Sequence, residues 1–444
     1  MDLPYKAKVF FGSEIKEIEG SIERENPFNG KIVSLMPKCT VEDANEALSI
    51  AQEAFKNTKN TPLHQRIAWL EDVASKLMER KEEFAQMITH EVAKPISFAR
   101  IEAGRCAETI KLTAMALANL GGETIPSDIM PSGKKTLSFY KRVPAGVAVC
   151  ITPFNFPLNL IAHKLAPALG AGCLSVVYGD ADVGSTLVSS PIPRVVSFTG
   201  SVQVGTAITK NAGIKKLGLE LGGNAATYID KSADVATAAQ KCAFGAFYNS
   251  GQVCISLQRI YVHQDIYDDF AKLIALESAK LKVGNPYDDD TFMGPLINDD
   301  AKMRALSWVE SAKNEGAKAI CGGSLVDDFF PPTVMADVTD DMNIICEEVF
   351  APIVSLIKVP SYEEAIGKIN DSPYGLQFSI FAQELSLAQR FIDDAEAGGV
   401  VINEIPTHRF DVQPYGGVKL SGIGKEGPRW ALEEFSEIKS ISFY

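Results

Sequence analysis

The sequence predicts an α/β protein organised around a doubly wound parallel sheet, and three observations carry that prediction. From Lys135 onward, apolar runs of strand length alternate with helix-like segments. The runs, such as GVAVCIT at 146–152, are continuously apolar, as strands covered on both faces of a parallel sheet are. The chain is 444 residues long, enough for two or three structural units and a large core.

The elements follow in order. Residues 40–120 read as helices: Thr40 followed by Asp43 is an N-cap signature, and Ala44, Ala47, Leu48, Ala51, Ala54 and Phe55 recur at helical spacing. A second helix is expected to carry Ile67, Leu70, Ala74, Leu77 and Phe84 on one core-facing stripe. TLSFYKRV (136–143) alternates as a strand, and GVAVCIT follows. Next come a helix at 158–169 and strands at 174–178, 194–201 and 215–223, together a doubly wound sheet. A second α/β region runs from about 224 to 425, with strands RIYVH (259–263), PIVSLIKV (352–359) and GGVVINE (398–404). The final EEFSEIKSISFY ends as a strand without a neighbour in sequence, for which pairing with another subunit is a natural solution.

Composition excludes several function classes. A net charge of -13, spread over short mixed segments, gives neither nucleic acid nor an anionic membrane surface anything to attract. The acidic run Asp288, Asp289 and Asp290 reads as a solvated loop. The cysteines at 39, 106, 150, 173, 242, 254, 321 and 346 form no C-x-x-C pair and no Cys/His cluster, so neither a metal site nor a disulfide framework is expected. The N-terminus lacks the basic start and apolar core of an export signal, and no uninterrupted apolar run reaches about 18 residues. A cytoplasmic chain with reduced thiols and no membrane span is expected.

Four stretches could carry chemistry: TPFNFP (152–157), FTGS (198–201), ELGG (220–223) and NSGQVC (249–254). A lone cysteine such as Cys254 is ordinarily a buried, inert hydrophobe, although Gly251 before it permits a turn that would expose the sulfur. Glu220 ends an apolar strand, where a carboxylate is costly unless paired or protonated; the alternative is a strand-end residue pointing into solvent. Asn155 follows a buried strand at the carboxyl end, where α/β sheets place ligands, but an Asn there also suits a helix N-cap. The amides of Gly200 and Ser201 could face a phosphate at a helix N-terminus, although FTGS is not a G-x-G-x-x-G fingerprint.

Taken together, VPAGVAVCITPFNFPLNLIAHKLAPAL, VVSFTGS, LELGGN, NSGQVC, EEVFAPI (347–353) and PYGGVKLSGIGKEG (414–427) closely resemble the NAD(P)-dependent aldehyde dehydrogenase superfamily nearly end to end. The resemblance implies a Rossmann-type nucleotide-binding domain (1–123 and 145–223), an α/β catalytic domain (224–426) and a β oligomerisation arm (124–144 and 427–444). A homodimer or homotetramer joined through that arm is implied, with NAD or NADP as cofactor and no metal. Cys254 would attack the aldehyde carbon, Asn155 and the Cys254 amide would hold the oxyanion, and Glu220 would act as base for thioester hydrolysis. Thr152, Pro153, Phe154, Lys164, Gly200, Ser201, Gly205, Glu348 and Phe350 would contact the cofactor, with Gly200 and Ser201 near the pyrophosphate, Glu348 on the nicotinamide ribose and Phe350 against the ring. For Lys164 the alternative is a surface lysine that snorkels.

The family normally places about thirty residues, a strand ending in Lys-Pro and then a helix, between the equivalents of Cys173 and Leu174. They are absent here. Either half of the adenosine site has been lost or the sequence lacks a segment, and the intactness of the other motifs favours the second, with a chain break expected between Cys173 and Leu174. For the substrate, NEIPTHRFD (403–411) and ETIPSD (123–128) are similar to lactaldehyde dehydrogenase-like members, which implies a small hydroxyaldehyde near Phe156, Tyr248, His408 and Arg409. Relatives that take phosphorylated or succinate-type aldehydes tend to place arginines near the nucleophile, whereas here Val253 precedes the cysteine and Tyr248 lies six residues before it, which disfavours a strongly anionic substrate. Arg409 could meet a carboxylate, so a semialdehyde is the alternative; a salt bridge to Glu404 or Asp411 would instead silence it. A genuine deletion would leave a binding or structural protein with a relict site. A cysteine hydrolase is disfavoured because none of His64, His90, His163, His263 and His408 lies in a nucleophile-pairing motif.

Overall fold

The computed structural model describes residues 3–169 and 174–443. The helical block begins as its cap signature demands: the Thr40 hydroxyl accepts from the Asp43 amide at 3.2 Å while Asp43 accepts from the Thr40 amide at 2.8 Å, and Val41–Thr58 follows. The expected second helix is two. Leu63–Glu79 stops where Arg80 leaves helical geometry (φ -104°, ψ 17°), and Lys81–Val92 starts on a new axis. Phe84 therefore packs beside Ile88 and Val92, while Ile67, Leu70, Ala74 and Leu77 face the long helix Ile96–Ala118 in another cluster.

Two sheets organise the rest. The larger has seven strands, in the order Lys318–Cys321, Thr333–Ala336, Ile353–Val359, Leu257–His263, Ala225–Ile229, Gln377–Phe381 and Gly399–Ile402, parallel except at the first pair. Alternate residues enter opposite cores: Ala226 and Tyr228 join one cluster, Ile229 and Val262 the other. Burial on both faces explains the continuously apolar runs, each large aliphatic side chain contributing about 1.5–3 kcal/mol.

The smaller sheet has four strands, in the order Gly422–Ile423, Lys216–Glu220, Val195–Thr199 and Ala148–Ile151, the last three parallel. The helix Asn159–Leu169 stands where expected. The strand expected at 174–178 does not form. Val176 exchanges backbone hydrogen bonds with Phe10 at 2.8 and 3.3 Å, and no described residue there extends the sheet. Residues 174–179 and Val147–Ile151 line one cavity of about 1210 Å³. With no strand between them there is no ladder to join, whatever the local β propensity. The Cys173 to Leu174 junction lies outside the described residues.

The C-terminal strand finds its partner within the chain: Ser436–Phe443 pairs antiparallel with Leu137–Pro144 along its full length, in a two-stranded ribbon. The open edge anticipated from sequence is thus closed on one side by a segment some three hundred positions earlier, a pairing invisible to local pattern.

Candidate active site

The carboxyl ends of the smaller sheet's parallel strands and the loops that enter Ala225–Ile229, Leu257–His263 and Ile353–Val359 of the larger sheet line a cavity of about 900 Å³, and the four motif stretches supply its walls. The strand Ala148–Ile151 runs into Thr152–Pro157 and then the helix Asn159–Leu169. That helix is capped from a distance: Glu102, on Ile96–Ala118, accepts from the Leu158 and Asn159 amides at 2.9 and 3.2 Å. Asn155 is therefore not the cap. Its side-chain amide donates to the Gln252 carbonyl at 2.9 Å and its own carbonyl accepts from Asn249 at 3.2 Å, which ties the two loops together. An amide nitrogen carries two hydrogens, so one remains for a ligand.

Cys254 follows a strained turn. The helix Val235–Phe247 ends, and Asn249, Ser250 and Gly251 take φ of 52°, 57° and 69°. Each such non-glycine residue costs about 1–3 kcal/mol and persists only where the surroundings hold it. Here Ser250 donates to the Gly294 carbonyl at 2.9 Å, and the Gln252 side chain accepts from the Ile297 amide at 3.0 Å. Position 251 has no room for a side chain, since a Cβ would sit 2.2 Å from the Ala351 carbonyl oxygen. The half-buried Cys254 Sγ lies 3.0 Å from the Tyr415 hydroxyl. Burial pushes its thiol up to about 12; the Tyr415 hydrogen bond pulls down, Glu348 and Glu220 push up, and Arg409 pulls down.

Glu220 ends Lys216–Glu220 and is buried, not solvent-facing. Its Oε2 has no hydrogen-bond partner among the described residues. Burial, then the charge of Glu426, raises its carboxyl well above the ordinary value against Lys164, Arg409 and Lys425. The next residues pack by their lack of side chains: a Cβ on Gly222 would come within 2.6 Å of Glu348 Oε2, and one on Gly223 within 2.1 Å of the Cys254 carbonyl oxygen. Gly223 also donates its amide to Glu348 at 2.9 Å. Burial pushes the Glu348 carboxyl up to about 7, opposed by that amide and by Arg304.

At FTGS, Ser201 caps the helix Val202–Asn211 by accepting from the Val204 amide at 3.3 Å. The Gly200 amide is already donated to the Glu220 carbonyl at 3.0 Å, so it does not face a phosphate as the sequence reading allowed. Gly205 is a packing position, where a Cβ would lie 2.4 Å from Leu221. Phe350, with φ 48°, meets Phe154 edge to face at 6.1 Å. Pro153, Phe154, Gly200, Ser201, Glu348 and Phe350 line the first cavity, and Thr152 lines the second. Lys164 also lines the second; it is fully buried rather than snorkelling, paired with Glu426 at 2.9 Å and donating to Ser197 at 3.1 Å.

Phe156, Tyr248, His408 and Arg409 all reach the first cavity. Neither carboxylate expected to silence Arg409 does so. Glu404 pairs with Lys241 at 2.7 Å, and Asp411 is held by Arg105 at 2.7 and 3.1 Å and His163 at 3.4 Å. Arg409 approaches Glu426 only to 3.8 Å and lies over the Tyr415 ring at 3.7 Å, with Nε and Nη2 free of hydrogen bonds among the described residues. Sequence reasoning missed Tyr415, Glu426, Arg105 and Phe98 on these walls. The first two sit in the quoted PYGG block, whereas Arg105 and Phe98 belong to a helix whose pattern signals only core.

The cavities fit a nicotinamide dinucleotide at one end. The buried Thr199 hydroxyl has no hydrogen-bond partner among the described residues, Gly200 and Gly222 present bare backbone, and Glu348 and Phe350 offer a carboxylate and a ring. Among the described residues no group of three or more His, Cys, Asp or Glu side chains could hold a metal ion, and no helix is long and apolar enough to cross a membrane.

The aldehyde dehydrogenase family model matches residues 15–177 and 171–441, in two segments that overlap at 171–177. A 3-sulfolactaldehyde dehydrogenase of Priestia aryabhattai is 37% identical over 464 aligned positions, covering 98% of this chain and 97% of its own length. That alignment is longer than the 444-residue chain, so the relative carries residues this chain lacks. A lactaldehyde dehydrogenase of Methanococcus aeolicus is 38% identical, covering 95% and 96%. The crystal structure of a glyceraldehyde-3-phosphate dehydrogenase from Methanocaldococcus jannaschii, complexed with NADP, superposes with a TM-score of 0.92 at 35% identity, covering 96% of this chain and 99% of that one. The chain belongs to the aldehyde dehydrogenase family and is one of its NAD(P)-dependent oxidoreductases.

Proposed function

We propose that the chain oxidises a small hydroxyaldehyde, such as lactaldehyde, to its carboxylic acid through a thiohemiacetal and then a thioester on Cys254. The observation that carries this reading is the convergence of Cys254 Sγ, the Asn155 amide and the Glu220 carboxyl on one cavity. As thiolate, Cys254 attacks the aldehyde carbon, and the oxyanion is held by the spare Asn155 N–H and the Cys254 backbone N–H. Both donors are neutral, so the oxyanion can collapse again. A bound NAD(P) would supply the hydride acceptor for the collapsing carbon. Glu220 then takes a proton from the water that cleaves the thioester; its raised carboxyl pKa makes it a stronger base once ionised. Glu348 and Phe350 would hold the nicotinamide ribose and ring, with Pro153, Phe154, Gly200 and Ser201 around them and Thr152, Lys164 and Gly205 behind.

The same reading takes 1–123 and 145–223 as the nucleotide-binding domain, 224–426 as the catalytic domain, and 124–144 with 427–444 as an arm joining subunits of a homodimer or homotetramer. The paired ribbon of that arm supports it. The described cysteines are all free, which suits the reducing cytoplasm. The names of the relatives, lactaldehyde and 3-sulfolactaldehyde dehydrogenases, support a hydroxyaldehyde. A second reading, an aldehyde with an anionic far end, is favoured by Arg409 on the cavity wall, whose Nε and Nη2 make no hydrogen bond among the described residues. A panel of lactaldehyde, 3-sulfolactaldehyde and succinate semialdehyde, followed by absorbance of NADH or NADPH, tests both. Turnover of lactaldehyde is expected; a rate that rises at least tenfold for the charged aldehydes favours the second reading, and no reduced cofactor with any of them overturns both.

A further inference from the structure

We propose that Tyr415 is a catalytic residue of this chain: its hydroxyl donates a hydrogen bond to Cys254 Sγ, holding the sulfur as thiolate before attack and again as the thioester releases it. The inference deepens the reading above, since it rests on Cys254 being the nucleophile.

The geometry carries it. Oη lies 3.0 Å from Sγ, and no other side-chain hydrogen bond to that sulfur exists among the described residues. The ring cannot drift away. The backbone of Tyr415 is clamped to that of Glu426 in both directions, N–H to carbonyl at 3.0 Å and carbonyl to N–H at 2.6 Å, while the Arg409 guanidinium covers one ring face at 3.7 Å. Val253, Ile255 and Leu376 pack around the same ring. A buried phenol needs a partner, and the sulfur is the one it has.

The direction of donation follows from which group keeps its proton. Burial raises both groups, and the 3.0 Å hydrogen bond between them pulls the thiol down and pushes the phenol up, the sense of a phenol that donates to sulfur. Arg409 over the ring draws density from the phenol and strengthens that donor. When the S–H bond breaks, the proton leaves to water in the cavity and the charge on sulfur is held by O–H···S⁻. On attack the S–C bond forms and the carbonyl π pair becomes an alkoxide beside Asn155. On hydrolysis the C–S bond breaks, its electron pair returns to sulfur, and the same O–H receives it.

The test is the pH dependence of Cys254 alkylation by iodoacetamide in the free enzyme, followed by peptide mass, which needs neither aldehyde nor cofactor. Tyr415→Phe keeps the ring and the Arg409 contact, and is expected to raise the midpoint by roughly one pH unit, about tenfold in rate below it. A 3,5-difluorotyrosine placed at 415 is a stronger donor of nearly the same shape and is expected to lower the midpoint, which keeps the test open if the Phe variant folds poorly. Midpoints unchanged by either variant overturn the proposal. A chain that turns over no aldehyde yet shows both shifts supports the hydrogen bond while removing the functional reading. In turnover, Tyr415→Phe is expected to lose rate by a factor that shrinks as pH rises; a pH-independent loss indicates packing alone and overturns it.

Discussion

The wall around Cys254 and the wall beside the strand Ala148–Ile151 are made of the same materials and are completed to different degrees. Around Cys254, every loop is pinned by another: Asn155 to Gln252, Asn249 to Asn155, Gly223 to Glu348, Ser250 to Gly294. Among the described residues Ala148–Ile151 is an edge strand of the smaller sheet, and together with 174–179 it lines a cavity of about 1210 Å³. A site assembled from loops at strand ends needs only that the strands be in order, whereas a wall made by a whole strand and helix disappears with that unit. The chemistry is accordingly expected to be robust and the grip on the adenosine half of the cofactor weak.

The largest expected effect tests the first half of that contrast. Cys254→Ala should abolish aldehyde oxidation, by at least about a thousandfold, while circular dichroism and melting stay unchanged. Residual turnover near the original rate would remove the assignment. Next, Glu220→Gln should slow thioester hydrolysis about a hundredfold and hydride release far less, so a burst of reduced cofactor should appear in stopped flow. Because burial and Glu426 raise the Glu220 carboxyl, the base is available only above that raised value. Steady-state rates limited by deacylation should therefore climb with pH in the original chain and lose that limb in the Gln variant. Equal loss of burst and steady state would argue against Glu220 as the base.

A structural variant probes the pinning itself. Gly251→Ala forces a Cβ to within 2.2 Å of the Ala351 carbonyl at φ 69°, and should cost about 2–4 kcal/mol in denaturant unfolding, with Cys254 displaced. A loss under about 0.5 kcal/mol would show the turn to be slack. The smallest effect concerns the other wall. In the 444-residue chain, NAD and nicotinamide mononucleotide are expected to differ less than about tenfold in Kd, or 1.4 kcal/mol, by calorimetry. A much tighter grip on NAD would mean that the residues around the second cavity hold the adenosine after all.

Much of this was legible in advance. The capping box at Thr40, the strands 194–201 and 215–223 and the parallel core all follow from spacing, because helix and strand periods and caps are settled by residues a few positions apart. Phe84 was misplaced because periodicity does not register a break at Arg80 when the stripe continues across it. Residues 174–178 were misplaced because β-branched composition states a preference, and a ladder requires a neighbour.

By itself the sequence determined the order of helices and strands, the loops that end the strands, and the family to which their motifs belong, all properties of short stretches read in succession. Only the tertiary structure decided which side chains meet. Cys254 and Tyr415 lie 161 positions apart, Lys164 and Glu426 lie 262 apart, and among the described residues Arg409 makes no hydrogen bond at Nε and Nη2 while Arg105 and Lys241 occupy the carboxylates nearest to it in sequence. Those contacts arise when packed sheets bring distant strand ends to one cavity, and burial there sets the charge of Cys254 and Glu220 through neighbours that no local pattern names.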